Sequence, residues 1–232
     1  MHMKKLSLSF LTLAMLALAG CNDDNNDSVT TQPNVTEPTL ISFAKLKVDT
    51  YAAGPTSGAA VSGANGIYPP FPGQPVQGFS AALKNADGSY MAMSDNGFGS
   101  QDNSADYLLR IYHISPDFRS KDKGTGEVKV HSFIQLKDPN GLIPFDIVNK
   151  DTPERLLTGA DFDPESMQRE ADGSFWIGDE FGPYLLHFSK DGVLLDAPIP
   201  LPHPTQAGVE LRSPQNQLNK AKINYVEPLV QR

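Results

Sequence analysis

Two stretches of the chain repeat one pattern about 85 residues apart, and this repetition restricts the possible folds more than any other feature. Three pieces recur in the same order: Ala-Asp-Gly-Ser before an aromatic residue, an acidic step that ends in Phe-Gly, and a segment that begins Tyr-Leu-Leu. The pieces lie at residues 86–90 and 171–175, at 94–99 and 178–182, and at 107–112 and 184–188. Such an arrangement indicates a repeated supersecondary unit. The period is about twice that of a usual propeller blade, so the copies are either alternate blades or blades of which one carries a long insertion.

The second copy, within residues 158–195, indicates how the unit folds. Asp172-Gly173 and Asp191-Gly192 are turn sequences, and the segments between them are rich in residues that favour strands. Strands separated by Asp-Gly turns predict an antiparallel meander. The chain holds 19 Gly and 19 Pro, as is common in loop-rich β proteins. We therefore predict an all-β, β-propeller-like fold in which carboxylates stand at strand ends.

The rest of the chain fits the same class. Further strands are expected at residues 41–48, 79–83, 89–94, 107–114 and 127–136. Loops rich in Gly, Pro, Ser or Asp are expected at residues 52–77, 95–106 and 138–153, and a short helix near 216–222. Trp176 is expected in the core between sheets, because large aromatic side chains contribute most when they are buried.

The N-terminus predicts export. Residues 1–5 are basic, residues 6–18 are apolar but too few to span a bilayer permanently, and small residues precede Cys21. This pattern resembles a bacterial lipobox, so residues 1–20 are expected to be a lipoprotein signal peptide and Cys21 the lipidated residue. The alternative is a free cysteine in an ordinary signal peptide. Residues 21–40 are polar and form a predicted flexible tether ahead of a domain at 41–232.

Charge and location complete this expectation. Loss of Lys4 and Lys5 with the signal peptide leaves 17 basic against 27 acidic residues, a formal charge of −10. An acidic protein is a poor partner for nucleic acid or anionic lipid, so membrane contact is expected through the anchor only. Asn22 is not the Asp that resembles an inner-membrane retention signal. The expected location is the cell envelope, on the periplasmic face of an outer membrane.

Several common chemistries have no sequence support. Histidines 113, 131, 187 and 203 show no spacing typical of zinc sites. Residues 102–106 lack the alternation of an EF-hand loop, and no Gly-x-Ser-x-Gly elbow marks a serine nucleophile. With no cysteine besides Cys21, an internal disulfide is excluded.

Two acidic stretches resemble a known family. Asp-Phe-Asp-Pro-Glu-Ser-Met at residues 161–167 and Asp-Gly-Ser-Phe-Trp-Ile-Gly-Asp-Glu-Phe-Gly-Pro-Tyr-Leu-Leu at 172–186 are similar to the phytase-like family described as having esterase-like activity. Residues 94–99 and 107–112 fit the same family, and the resemblance covers about residues 41–202. It implies a β-propeller and, through distant similarity to calcium-dependent phytases, metal-assisted hydrolysis of phosphate esters.

The chain departs from that family in one respect. Members usually continue with a Gly-Phe-Glu-Gly-Met-like motif and further blades, whereas this sequence ends at Arg232. The roughly 190 residues after the tether supply three to four blades, an incomplete set. We therefore expect a truncated propeller, or one that a second chain completes.

The candidate metal ligands are acidic or amide side chains at predicted strand ends. Calcium prefers six to eight oxygen ligands, and the residues of suitable type are Glu165, Asp179, Glu180, Asp95 and Asn96. A bound metal would neutralise an anionic ester and activate a water. The alternative role of Asp95 and Asp179 is to cap loops by accepting backbone hydrogen bonds. Candidate phosphate-binding cations are Arg110, Arg155 and Arg169.

Three functional hypotheses follow. The first is an exported, lipid-anchored phytase-like hydrolase that uses calcium to cleave a small phosphate ester. The second is a non-catalytic binding or scaffolding propeller with structural calcium. The third is a metal-dependent lactonase or esterase.

Overall fold

The computed structural model describes residues 38–221 and 225–226. The predicted signal peptide, the lipidation site Cys21 and nearly all of the tether lie outside these residues. Within the described part of the chain, no helix has both the length and the apolar character needed to cross a membrane.

Twelve strands and two 3-10 turns make up the described secondary structure, which contains no α-helix. In chain order they are β1 (Tyr51–Ala52), β2 (Gln74–Pro75), β3 (Phe79–Lys84), β4 (Tyr90–Ser94), a 3-10 turn (Gln101–Asn103), β5 (Arg110–Pro116), β6 (Val128–Gln135), β7 (Pro164–Arg169), β8 (Phe175–Asp179), β9 (Tyr184–Phe188), β10 (Ile199–Pro200), β11 (Glu210–Leu211), a 3-10 turn (Gln217–Ala221) and β12 (Tyr225–Val226). The all-β prediction is confirmed.

Two four-stranded antiparallel sheets form the body of the fold. Sheet 1 has the order β3-β4-β5-β6, and sheet 2 has the order β7-β8-β9-β10. Chain neighbours are therefore sheet neighbours throughout, which is the arrangement of propeller blades. Two-stranded pairs, β1-β2 and the parallel β11-β12, accompany them. The β-propeller-like architecture is confirmed in this open form.

The sequence repeat corresponds to these two sheets. Its first piece is the β3–β4 turn in sheet 1 and the β7–β8 turn in sheet 2, and its later pieces fall at the ends of β4 and β8 and around β5 and β9. The copies are successive sheets rather than alternate ones. The extra length of the period lies in a long β4–β5 loop and in residues 136–163, which connect the sheets.

The repeated Asp-Gly-Ser turns have the same hydrogen bonds in both copies. Asp87 Oδ1 accepts from the backbone N–H and the hydroxyl of Ser89, at 3.0 and 2.6 Å. Asp172 Oδ1 accepts from the same groups of Ser174, at 2.9 and 2.7 Å. These short-range bonds fix the hairpins, as expected for aspartate in turns.

The main core lies between the facing sides of the two sheets. Met93 and Ile111 from sheet 1 pack in one cluster with Ile177 and Leu186 from sheet 2 and with Phe162 from the connection. All five side chains are essentially inaccessible to solvent. Alternate residues of β8 and β9 point to this core, as strand geometry requires.

Trp176 does not lie in that core, contrary to the sequence prediction. Strand alternation puts its neighbours Phe175 and Ile177 inside and Trp176 on the opposite face of sheet 2. There its ring stacks on His187, with 4.1 Å between centroids and an interplanar angle of 4°.

The observed secondary structure differs from the sequence prediction in several other places. Residues 41–48 form isolated bridges at Phe43 and Lys45 instead of a strand. The predicted loop at 52–77 contains β2 and the second residue of β1, which pair with each other. Residues 164–169, for which no strand was predicted, form β7. The predicted helix near residues 216–222 is the 3-10 turn Gln217–Ala221.

Candidate metal centre at the junction of the two sheets

The candidate site lies where the end of β4 meets the start of β7 and the end of β8. Strand β3 of sheet 1 packs beside β7 of sheet 2, which brings these termini together. Gly159 contributes to the close approach, because a Cβ there would collide with the backbone oxygen of Asn96. The loop after β4 therefore meets the connection that leads into β7 through backbone contact.

Three carboxylates converge at the junction. Asp163, Glu165 and Glu180 each offer one oxygen, and the three oxygens lie within 4.8 Å of one another. Asp163 is partly buried, and the two glutamates are exposed. We call these residues the carboxylate trio.

The negative charges of the trio and its surroundings repel one another. Burial raises the pKa of Asp163 to about 6, and the charges of Glu165, Asp95 and Glu180 also raise it, against the lowering effect of the Asn96 backbone N–H. Among the described residues no basic side chain forms an ion pair with a member of the trio. A cation would relieve this repulsion.

Asn96, in the loop that follows β4 of sheet 1, holds Asp163 in place. Its backbone N–H donates to Asp163 Oδ1 and its side-chain amide to Oδ2, both at 3.1 Å. The Asn96 Oδ1 atom in turn accepts from the Gly99 N–H at 2.9 Å. Each oxygen of a carboxylate can accept more than one hydrogen bond. Asp163 therefore retains lone pairs for a further ligand.

Asp179 and Asp95 hold the backbone around the trio: Asp179 bonds the segment that carries Asp163 and the loop that carries Glu180, and Asp95 bonds within the loop that carries Asn96. Asp179 is buried; its Oδ1 accepts from the Asp163 N–H and its Oδ2 from the Gly182 N–H, each at 2.7 Å. Burial raises the pKa of Asp179 to about 7, although these backbone bonds lower it. Asp95 Oδ1 accepts from the Gly97 N–H at 2.7 Å. These bonds are those of the loop-capping alternative.

All five predicted ligands therefore lie at one junction, but they differ in position. Glu165 and Glu180 belong to the trio, Asn96 and Asp179 make hydrogen bonds to Asp163, and Asp95 bonds within the loop that carries Asn96. Metal binding by any of the five stays a prediction. The sequence interpretation omitted Asp163 as a ligand, although its spacing of two residues from Glu165 at the start of a strand was an available signal.

None of the three candidate arginines is placed to bind phosphate at the trio. Arg155 donates to the carbonyls of Lys150 and Asp138 and pairs with the Asp138 carboxylate at 3.1 Å. Arg110 is buried and stacks over Phe133, 3.8 Å from its centroid. Arg169 is the last residue of β7, at the opposite end of the strand from Glu165. The trio therefore lacks these three side chains as charge partners.

The donor set fits a hard cation. Three carboxylate oxygens are gathered at one place, and carboxylate, carbonyl and water oxygens are the ligands that calcium and magnesium prefer. Thiolate and imidazole ligands, which zinc prefers, are absent from the trio.

A Ser-His-Asp contact elsewhere in sheet 2 has a structural explanation. His187 lies 3.4 Å from Ser174 Oγ through Nε2 and 3.0 Å from Asp196 Oδ2 through Nδ1. Ser174 is buried, however, and its hydroxyl donates to Asp172 within the turn. Sheet 1 repeats the arrangement with Ser89 and His113 at 2.9 Å, as expected for an element of the repeat rather than a nucleophile.

A comparison with protein-family models identifies the family of the chain. The model described as "Phytase-like: Esterase-like activity of phytase" matches residues 74–221, a range that includes both four-stranded sheets and the carboxylate trio. No curated protein and no solved structure matches the chain. Since the family match covers more than half of the sequence, the protein belongs to the phytase-like family of esterase-like hydrolases.

Proposed function

We propose that this protein hydrolyses a small phosphate ester with the assistance of calcium bound by Asp163, Glu165 and Glu180. The observation that carries the proposal is the convergence of three carboxylates within 4.8 Å without a basic partner among the described residues. An isolated acidic cluster would repel an anionic ester, whereas a cation held there would attract it. Membership of the phytase-like family supports the reaction class.

The chain contributes position and charge to this reaction. Calcium, when bound, supplies positive charge for the phosphate oxygens and lowers the pKa of a coordinated water. Asn96 orients Asp163, and Asp179 fixes the backbone that carries both Asp163 and the β8–β9 loop. Hydrolysis consumes one water, which gives its hydroxyl to phosphorus and a proton to the departing alcohol.

A structural role for the same ion is the second candidate, and one observation favours it. Asn96 from sheet 1 bonds both oxygens of Asp163 beside sheet 2, so a cation at the trio would also join the two sheets. In that case calcium would stabilise the fold without turnover.

Phosphate release from p-nitrophenyl phosphate, measured in calcium and in chelator, tests the proposal. Glu165→Gln and Glu180→Gln keep the side-chain volume and remove the charge, so each should lower calcium-dependent turnover by at least about tenfold. Glu170→Gln is the matched control, because Glu170 is exposed near the other end of β7 and should leave turnover unchanged. Equal rates in all three variants would remove the trio from the reaction.

We also propose that Cys21 is lipidated and holds the protein at the outer membrane, facing the periplasm. The support is the sequence of residues 1–22 alone. In cells, Cys21→Ala should move the protein from the membrane fraction to the soluble fraction and abolish incorporation of labelled palmitate. Unchanged fractionation and labelling would contradict the anchor.

A further inference from the structure

A groove of about 580 Å³ opens directly beside the carboxylate trio. Its floor follows one cross-strand row of sheet 2, in which Ser166 pairs with Gly178, Gly178 with Leu185, and Leu185 with Ile199. Gly178 has no side chain, and the Ser166 hydroxyl lies over it, so the floor is polar at Ser166 and apolar at Leu185 and Ile199. Three strand spacings of about 4.8 Å give the groove a length of roughly 14 Å.

The two ends of the groove differ in chemistry. Glu165 and Glu180 line it at the end that meets the trio. Leu185, Ile199 and Leu201 line the remainder, and they are 44, 45 and 49% exposed. An exposed apolar surface that continues into a polar centre is typical of a ligand site rather than of ordinary protein surface.

We propose that this groove binds the alkyl arm of the ester whose anionic head is hydrolysed at the trio. The inference rests on the proposed function and specifies its substrate class: a phosphate monoester of a hydrophobic alcohol. Charge complementarity fixes the orientation, because a phosphate neutralised by a cation belongs at the glutamates and a hydrocarbon belongs over the leucines. A densely phosphorylated polyol would leave the apolar groove unfilled.

Alkyl phosphates of increasing length test this assignment with the full-length protein in calcium, below their micellar concentrations. From methyl to butyl to octyl phosphate, kcat/KM should rise by at least about tenfold, because each methylene removed from water strengthens binding several-fold. Leu185→Gln should reduce kcat/KM for octyl phosphate to near the methyl value and leave the methyl value unchanged. Leu195→Gln, at the same 44% exposure but outside the groove, should change neither.

A second variant and a binding measurement keep the outcomes separate. Ile199→Gln, on the neighbouring strand, should repeat the effect of Leu185→Gln, and thermal unfolding verifies that each variant is folded. Turnover that is independent of chain length overturns the groove assignment and leaves the proposed function standing. Absence of turnover for every ester overturns the proposed function; the groove is then judged from calorimetry with octyl and methyl phosphonate.

Octyl phosphonate should bind at least about tenfold more tightly than methyl phosphonate, and Leu185→Gln should abolish this difference. That result supports the groove assignment even without hydrolysis. Equal or undetectable binding of the two phosphonates overturns it. A second copy of the chain could also occupy an open sheet face. Analytical ultracentrifugation tests this by measuring the oligomeric state. A dimer that Leu185→Gln dissociates and Leu195→Gln does not would make the groove a protein interface and overturn the inference.

Discussion

At the scale of single residues, hydrogen bonding separates the candidate metal ligands from the groups that position them. Glu165 and Glu180 are exposed and accept no backbone hydrogen bond within the described part of the chain, so their oxygens are accessible to a cation. Asp179 and Asp95 use their oxygens to hold backbone N–H groups. Asp163 does both, because Asn96 occupies one side of its carboxylate. Residue type alone therefore does not separate these roles; hydrogen-bond partners do.

The raised pKa values of Asp163 (about 6) and Asp179 (about 7) predict how pH changes stability in chelator. Both folded-state values exceed the usual 3.8, so the folded protein binds these protons more tightly than the unfolded chain. Their contribution to stability is complete below pH ~4 and is lost as pH rises through about 6 to 7. Wild type in chelator should therefore lose unfolding temperature between pH 5 and 7.5.

The variant that tests this assignment is Asp163→Asn, which has no proton to lose. It should show a smaller loss of unfolding temperature over the same pH interval than wild type. An identical pH dependence in the two proteins would assign the effect to other groups. In calcium the loss should diminish, since calcium binds the deprotonated carboxylates.

At the scale of secondary structure, the repeated unit is one four-stranded sheet with its own turn chemistry. The Asp-Gly-Ser turns close the first hairpin of each sheet, and Ser89 and Ser174 connect these turns to His113 and His187 on the third strand. The hydrogen bonds recur because the sequence recurs. They stabilise each sheet separately from the junction site.

Ser174→Ala should therefore lower stability and leave ester hydrolysis unchanged. The substitution removes a buried hydroxyl that donates to Asp172, and the expected cost is ~1–3 kcal/mol in the free energy of unfolding. Ser89→Ala is the matched control in sheet 1 and should cost a similar amount. Denaturant unfolding gives the stabilities. Loss of turnover in Ser174→Ala alone would indicate a serine nucleophile and contradict the metal mechanism.

At the scale of the whole molecule, the candidate site forms only when the two sheets pack against each other. The main core joins sheets 1 and 2, and the trio with Asn96 lies at one end of the same junction. A cation at the trio would bind the folded protein and not the unfolded chain. Metal binding and the docking of the sheets are therefore linked.

Calcium should raise the unfolding temperature of the full chain relative to chelator. At a calcium concentration about one hundred times the dissociation constant, the expected gain is ~2.7 kcal/mol in the free energy of unfolding. Differential scanning calorimetry measures it, with Glu180→Gln expected to lose most of the gain and Glu170→Gln expected to keep it. An equal gain in both variants would place the calcium elsewhere.

The local features of this protein follow from the sequence alone. Asp-Gly-Ser turns, strand-forming segments and the 85-residue repeat predicted the all-β class and the hairpins, because these features depend on residues within a few positions of one another. The acidic motifs also predicted which region carries the site. The sequence pattern does not predict strand β7, because its buried residues Pro164 and Met167 are three positions apart: a bulge between Pro164 and Ser166 breaks the two-residue alternation of a regular strand.

Which carboxylates meet depends on the packing of distant parts of the chain. Asn96 and Asp163 are 67 residues apart, and the hydrogen bonds between them exist because β3 packs beside β7. The same packing determines that Trp176 faces away from the core and that an apolar groove adjoins the trio. Contacts between distant segments depend on how whole sheets pack, and no short sequence pattern encodes that choice.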